Sequence, residues 1–248
     1  MGIFSKLFEG GPINKKEKCR NHPQKNALSF CISCKQHFCA DCLTEVSEYY
    51  CCGSESCRNI LKIKTKQAFN QAIISGAKNL ADDIINMIDG GFRSQIDFQE
   101  GFNVSAVYVE IVFVSIHDLL DIASKYLDEE EKNLFFNATY GKIRDILTNK
   151  YSSKIGIGEF QVYFDETFTE RVMEYRDYIG LNPNSWTEDL QYMSFGKKIS
   201  DILGKDFDLE TDLNIQELYI TASSPIPLVK KNLEMISDLK NKIQEGIF

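Results

Sequence analysis

From residue 54 onward, apolar side chains recur mostly at intervals of three and four residues, the period of an α-helix with one buried face. The first such segment follows Ser54, a candidate N-cap, and runs without a proline to Gly90 and Gly91. We expect a long helix that ends at these two glycines. Because it would start directly after the last cysteines, we expect no flexible linker between the cysteine-rich segment and the helix.

Residues 102–127 form a second apolar segment that is unusually rich in Val and Ile. A short run of such β-branched residues is also compatible with a strand. The helical spacing nevertheless continues to Ala123, and the segment is apolar on all sides. A helix of this kind belongs in the centre of a bundle.

The rest of the chain predicts further helices separated by loops. Asp128 and Glu131 form a capping box that opens a third helix. Two glycines, Gly156 and Gly158, predict a loop over residues 151–158. The remaining predicted elements are helices at about residues 160–179, 185–203, 215–222 and 227–244, and a loop at 206–212. The predicted fold class is therefore mainly α, with an all-α domain of six or seven helices after a small finger that contains a β-hairpin.

Cysteines change this picture, because all eight lie in residues 19–57, together with two of the three histidines. The potential ligands are, in order, Cys19 and His22, Cys31 and Cys34, Cys39 and Cys42, and a last group of Cys51, Cys52 and Cys57. In the first three pairs, two intervening residues form a tight turn that directs both side chains to one metal ion. Zinc takes four such ligands tetrahedrally, so four pairs predict two Zn²⁺ sites.

A segment of about 40 residues buries too little apolar surface to fold alone. A structural zinc ion supplies roughly 10–16 kcal/mol of apparent binding free energy, which becomes folding free energy here. The chain start does not resemble a signal peptide, so we expect a cytoplasmic protein whose clustered cysteines bind metal instead of forming disulfides.

The cysteine-rich segment resembles a B-box-type zinc finger. The resemblance rests on Cys19-Arg20-Asn21-His22-Pro23, on the sequence FCISCKQHFCADCL and on the order of the pairs, and it covers about 40 of the 248 residues. It implies cross-braced ligation, in which pairs one and three share one metal and pairs two and four share the other. The implied sites are Cys19, His22, Cys39 and Cys42 (site one), and Cys31, Cys34, Cys52 and Cys57 (site two). Ligation by consecutive pairs is the alternative.

The sequence departs from the B-box pattern in its last pair, which has four or five intervening residues instead of two. We favour Cys52 over Cys51 because it is nearer to Cys57. Neither a RING domain nor a coiled coil accompanies the finger, so the resemblance does not imply ubiquitin-ligase activity. Four protein ligands leave no open coordination position, which favours structural zinc over catalytic zinc.

The net charge of −8 is unevenly distributed. Residues 1–66 carry 11 Lys or Arg and 6 Asp or Glu, whereas the remainder carries 17 and 30. This acidic balance argues against a nucleic-acid surface across the helical part. The alternative is that a basic N-terminal surface binds nucleic acid through five residues: Lys15, Lys16, Lys18, Arg20 and Lys25.

The helical part lacks nucleotide-binding and hydrolase motifs. The alternative, enzymatic site consists of three polar residues that can share one helix face: Glu110, His117 and Asp121. A polar edge of a buried helix explains these residues more simply. Three glutamates at intervals of four, beside Arg171, predict a solvated face with salt bridges: Glu166, Glu170 and Glu174. No apolar run is long enough for a membrane span, although four apolar residues near the N-terminus could contact a membrane surface.

We therefore expect a lead-in segment (1–18), a B-box-like double zinc finger (19–57) and an acidic all-α domain (58–248). The predicted function is that of a cytoplasmic, non-enzymatic adaptor or regulatory protein that binds two Zn²⁺ and an unidentified protein partner. Self-association through the apolar helices is a further possibility.

Overall fold

The computed structural model describes residues 17–46, 49–95, 104–155, 157–180, 188–204 and 213–247. The four strands are β1 (Ser29–Phe30), β2 (His37–Phe38), β3 (Leu43–Val46) and β4 (Tyr49–Cys52). In the described residues they precede seven α-helices: α1 (Glu55–Gln95), α2 (Val104–Ala123), α3 (Glu129–Ile155), α4 (Ile157–Gly180), α5 (Glu188–Leu203), α6 (Leu213–Ser223) and α7 (Ile226–Ile247). The predicted mainly α fold with a small β-containing finger is thus confirmed.

The strands form two antiparallel hairpins. In the first, Ser29 of β1 pairs with Phe38 of β2, and in the second, Leu43 of β3 pairs with Cys52 of β4. A backbone hydrogen bond from Ile32 N–H to the Tyr50 carbonyl, 2.9 Å long, connects the turn after β1 to β4. These contacts hold the cysteine-bearing turns together where side chains are too few for a larger core.

The chain forms two compact units. One contains the described residues up to Ile73 together with the chain from Met235, and the other runs from Ile74 to Glu234. In the second unit, α2 packs against α3, α4, α5 and α6. Its residues 107–117 are all buried, so the prediction of a central apolar helix is confirmed.

The capping box predicted before α3 is present. The Glu131 backbone N–H donates to Asp128 Oδ1, and the Asp128 N–H donates to Glu131 Oε2, each at 3.0 Å. These two bonds satisfy backbone donors that a helix start leaves without partners.

The predicted helix stop at Gly90 and Gly91 is wrong, since α1 continues to Gln95. A Cβ atom added at Gly91 would lie 2.9 Å from Cγ2 of Thr221 in α6, whereas one at Gly90 would meet nothing within 4 Å. Gly91 therefore allows a close approach of α6 to α1. Helix packing, which is a tertiary effect, overrides the local preference of glycine to end a helix.

The predicted loop at 151–158 is also wrong, because α3 continues to Ile155 and α4 begins at Ile157. The Tyr151 ring, at the end of α3, stacks on Phe160 in α4 with centroids 5.9 Å apart. Such packing stabilises helix on both sides of the junction. The predicted start of a helix at Ser185, the loop at 206–212 and nearly all of the lead-in segment lie outside the described residues.

None of the helices in the described part of the chain combines the length and the apolar character that spanning a bilayer requires.

Candidate metal centre

Site one brings together Cys19, His22, Cys39 and Cys42. Cys19 and His22 lie on a turn closed by hydrogen bonds from Cys19 N–H to the Lys25 carbonyl (3.1 Å) and from Lys25 N–H to the His22 carbonyl (2.8 Å). Cys39 is the N-cap of a short 3₁₀-helix, Ala40–Cys42, and Cys42 is its last residue. Each half of the site is therefore a local turn, and the folding of the finger joins the halves.

The ligand atoms of site one have the spacing of a tetrahedral site. The sulfur of Cys42 lies 3.9 Å from those of Cys19 and Cys39. The His22 Nδ1 atom lies 3.4 Å from the Cys39 and Cys42 sulfurs, and 3.9 Å from that of Cys19. A tetrahedron with zinc–sulfur bonds of about 2.3 Å has sulfur–sulfur edges of about 3.8 Å. The same distances exclude disulfides, whose sulfur atoms are about 2.05 Å apart.

Site two brings together Cys31, Cys34, Cys52 and Cys57, whose sulfur atoms all lie within 4.8 Å of one another. The first two flank a turn after β1, closed by a 2.8 Å bond from Cys31 N–H to the Gln36 carbonyl. Cys52 is the last residue of β4, and Cys57 lies in the first turn of α1. Site two therefore connects the first hairpin, the second hairpin and the long helix.

Most ligand residues of the two sites are buried, whereas His22, Cys34 and Cys42 are partly exposed. Cys31 is completely buried, and the cysteines form one cluster with apolar residues that include Ile32, Phe38 and Leu61. The Cys42 sulfur, which is partly exposed, accepts a hydrogen bond from Asn21 Nδ2 at 3.6 Å. Burial protects thiolate–metal bonds from water, and the amide donor stabilises thiolate charge.

The thiols of each site differ in acidity. Burial raises the pKa of Cys19, but the backbone N–H groups of Cys39, Asn21 and His22 outweigh it and lower the pKa to about 6. Burial and hydrogen bonds to Cys19 and Cys39 raise the pKa of Cys42 to about 11.

Site two shows the same division between acidic and weakly acidic thiols. Burial again opposes ionisation of Cys31, but backbone N–H donors led by that of Cys52 lower its pKa to about 6. Burial, with hydrogen bonds to Cys52 and Cys34, raises the pKa of Cys57 to about 12. Each donor set therefore ionises completely near neutral pH only when a cation neutralises the thiolates.

The structure groups pair one with pair three and pair two with pair four, as the cross-braced arrangement implies, and does not group consecutive pairs. At the ambiguous last pair it places Cys52 in site two. Cys51 lies outside the four-ligand group, and its buried sulfur is 3.5 Å from the Cys52 carbonyl oxygen. Both donor sets fit metal ions, because four converging soft ligands, sulfur and imidazole, suit zinc-type cations.

In the alternative site of the helical part, the two carboxylates pair with different basic residues. Glu110 accepts a 3.0 Å hydrogen bond from Nε of Arg171, and both side chains are buried. Asp121 pairs with Lys125 at 3.2 Å. His117 is buried in the same helix.

The expectation that Arg171 lies on a solvated face is wrong, since it is only 6% exposed. One signal in the sequence was available: Glu110 stands in an otherwise apolar segment, and a buried carboxylate requires a cation. Arg171 also pairs with Glu174, whereas Glu166 and Glu170 are exposed as predicted.

Two of the basic residues proposed for nucleic-acid binding contact other side chains of the same chain. Lys18 donates to Asn26 Oδ1 at 2.7 Å, and Lys25 pairs with Asp41 at 2.5 Å. Lys15 and Lys16 lie outside the described residues.

Comparisons of this chain with protein-family models, with curated proteins and with solved structures found no match.

Proposed function

We propose that this protein is a non-enzymatic adaptor or regulatory protein whose B-box-like finger, stabilised by two Zn²⁺, binds a protein partner. The main supporting observation is that each of the two donor groups consists of four protein ligands, whose donor atoms all lie within 4.8 Å of one another. Structural zinc is coordinated in this way, whereas catalytic zinc keeps one position for water or substrate. The mixed sulfur and imidazole donors favour zinc over Mg²⁺ or Ca²⁺, which prefer oxygen ligands.

The first turns of α1 offer a surface for the partner. Ile60 and Ile63 are 42% and 58% exposed, although isoleucine is among the side chains most often buried. Arg58, Lys62 and Lys64 are exposed around them. We name these five residues the α1 basic face. Apolar contacts at its centre and cations at its edge complement an acidic protein surface that carries apolar side chains.

The metal part of the proposal is tested by metal analysis of the full chain purified without added metal. We expect two zinc ions per chain, one for each donor group. A chain that folds with no bound metal, or with one ion, would contradict it.

The partner part is tested by capture from an extract of the source cells on the full-length chain, followed by carbodiimide cross-linking. This reagent joins lysine amines directly to carboxylates, so it reports the acidic character of the partner. We expect cross-links at Lys62 and Lys64, and loss of the captured protein in the Ile60→Ser/Ile63→Ser variant.

The matched control is Val162→Ser/Met173→Ser on α4, whose side chains are 57% and 62% exposed in the original chain. This control should retain the captured protein. Equal capture by both double variants would refute a role of the α1 basic face. Capture of nucleic acid, with steep loss in salt, would replace the protein partner with the alternative function.

A further inference from the structure

Cys51 is a fifth thiol at a site that needs four. It is 2% exposed and precedes Cys52, a member of site two, directly in β4. The 2.9 Å hydrogen bond from Ile32 N–H to the Tyr50 carbonyl holds the residue before Cys51 against the residue after Cys31. The Cys51 sulfur itself lies 3.5 Å from the carbonyl oxygen of Cys52.

This position is not that of an ordinary core cysteine. Cys51 directly precedes a potential metal ligand, and it belongs to the same buried cluster as Cys31, Cys52 and Cys57, against which Cys34 packs. Cys51 lies outside the four-ligand group, so it is an additional thiol directly next to one of the four potential ligands.

We propose that Cys51 is a reserve ligand of site two that exchanges with Cys52 at the bound metal ion. The inference rests on the metal binding proposed above. In the exchange, the bond from the metal to the Cys52 sulfur breaks and a bond to the Cys51 sulfur forms. The Cys51 proton passes to the departing Cys52 thiolate, so the charge is unchanged and no oxidant or reductant is needed.

Consecutive side chains of a strand point to opposite faces, so the exchange requires the end of β4 to rotate. Cys51 pairs with Thr44 and Cys52 with Leu43 at the outer end of the second hairpin. The next two residues, Gly53 and Ser54, lie in neither the strand nor the helix, so the backbone can adjust there without breaking α1. Cys34 has no such neighbour, since Ser33 and Lys35 flank it.

The test measures bound zinc in full-length wild-type protein and in the Cys51→Ala, Cys52→Ala, Cys51→Ala/Cys52→Ala and Cys34→Ala variants. We expect two ions per chain in the wild type and in the Cys51→Ala and Cys52→Ala variants, in line with the two donor groups. The double variant and Cys34→Ala should each lose the site-two ion. Loss of that ion in Cys52→Ala, or its retention in the double variant, would overturn the reserve role.

A second measurement uses only the wild type, so it does not depend on whether variants fold. Zinc-loaded protein is alkylated slowly with N-ethylmaleimide, and the labelled peptides are mapped by mass spectrometry. We expect the label to be divided between Cys51 and Cys52 in singly modified chains. Label on Cys51 alone would show that Cys52 never leaves the metal. Wild-type protein with no ion at site two would instead refute the proposed metal binding itself.

Discussion

Replacing Arg171 with methionine removes the cation from a buried ion pair and leaves its partner in the protein interior. The side chains of Arg171 and Glu110 are 8% and 3% exposed, and they are joined by a 3.0 Å hydrogen bond. Breaking such a pair by removing one member costs about 3–5 kcal/mol, because the remaining charge stays buried without compensation. The free energy of unfolding is typically about 5–15 kcal/mol, so this loss is large.

The assay is urea unfolding of the full-length variants, followed by far-ultraviolet circular dichroism. Glu174→Gln is the matched control, because Glu174 contacts the same guanidinium but its side chain is 53% exposed. Its loss should cost no more than about 1 kcal/mol. The Glu110→Leu/Arg171→Met double variant should recover most of the stability, since a well-packed apolar pair of similar volume can replace a buried ion pair.

The same variant has a defined pH dependence. At low pH, protonation of Glu110 removes the uncompensated charge, so the stability deficit of Arg171→Met should shrink as the pH falls. Equal costs for Arg171→Met and Glu174→Gln would refute the reasoning. So would a double variant that is less stable than Arg171→Met.

Three further predictions concern helix packing and the metal sites. Gly90→Ala should raise the melting temperature, because alanine favours helix over glycine by up to about 1 kcal/mol. Gly91→Ala should lower the melting temperature, because its Cβ would lie 2.9 Å from Thr221. Equal shifts in the two variants would contradict the close approach of α6 to Gly91. Removing zinc with a chelator should make residues 17–57 sensitive to protease, while most of the helical signal in far-ultraviolet circular dichroism persists. Unchanged protease resistance would argue against structural metal. Zinc binding should release protons at neutral pH, because the pKa values of Cys42 and Cys57 are raised to about 11 and about 12. Calorimetry in buffers of different ionisation enthalpy measures this release, and the affinity for zinc should rise with pH.

Local signals in the sequence were sufficient to predict most of the helices. The capping box of Asp128 and Glu131, and the spacing of apolar residues along α2, depend only on residues a few positions apart. One of the errors occurred where a distant element decides the outcome. Gly91 remains helical because Thr221 packs where its side chain would be, more than a hundred residues away in sequence.

In the candidate metal sites, too, the sequence predicted what neighbouring residues determine and did not predict what distant residues determine. Two-residue spacers predicted which cysteines and histidine share a local turn, because such a turn is formed by neighbouring residues. The grouping of turns into two sites came from a family resemblance, since spacing alone also allowed consecutive pairs. The spacing to Cys57 favoured Cys52 over Cys51, and the structure groups Cys52 with Cys57. The partnership of Arg171 with Glu110 required the packing of α4 on α2, which is not encoded locally.

The position of Cys57 in the first turn of α1 has a consequence for how that helix forms. Helix formation is limited by nucleation, because the first turn fixes several residues in return for one hydrogen bond. A metal ion bound through Cys57 would fix this turn to Cys31, Cys34 and Cys52 before the helix propagates. Such an ion would act as the nucleus of α1, and its removal should increase amide hydrogen exchange in the turns that follow Cys57.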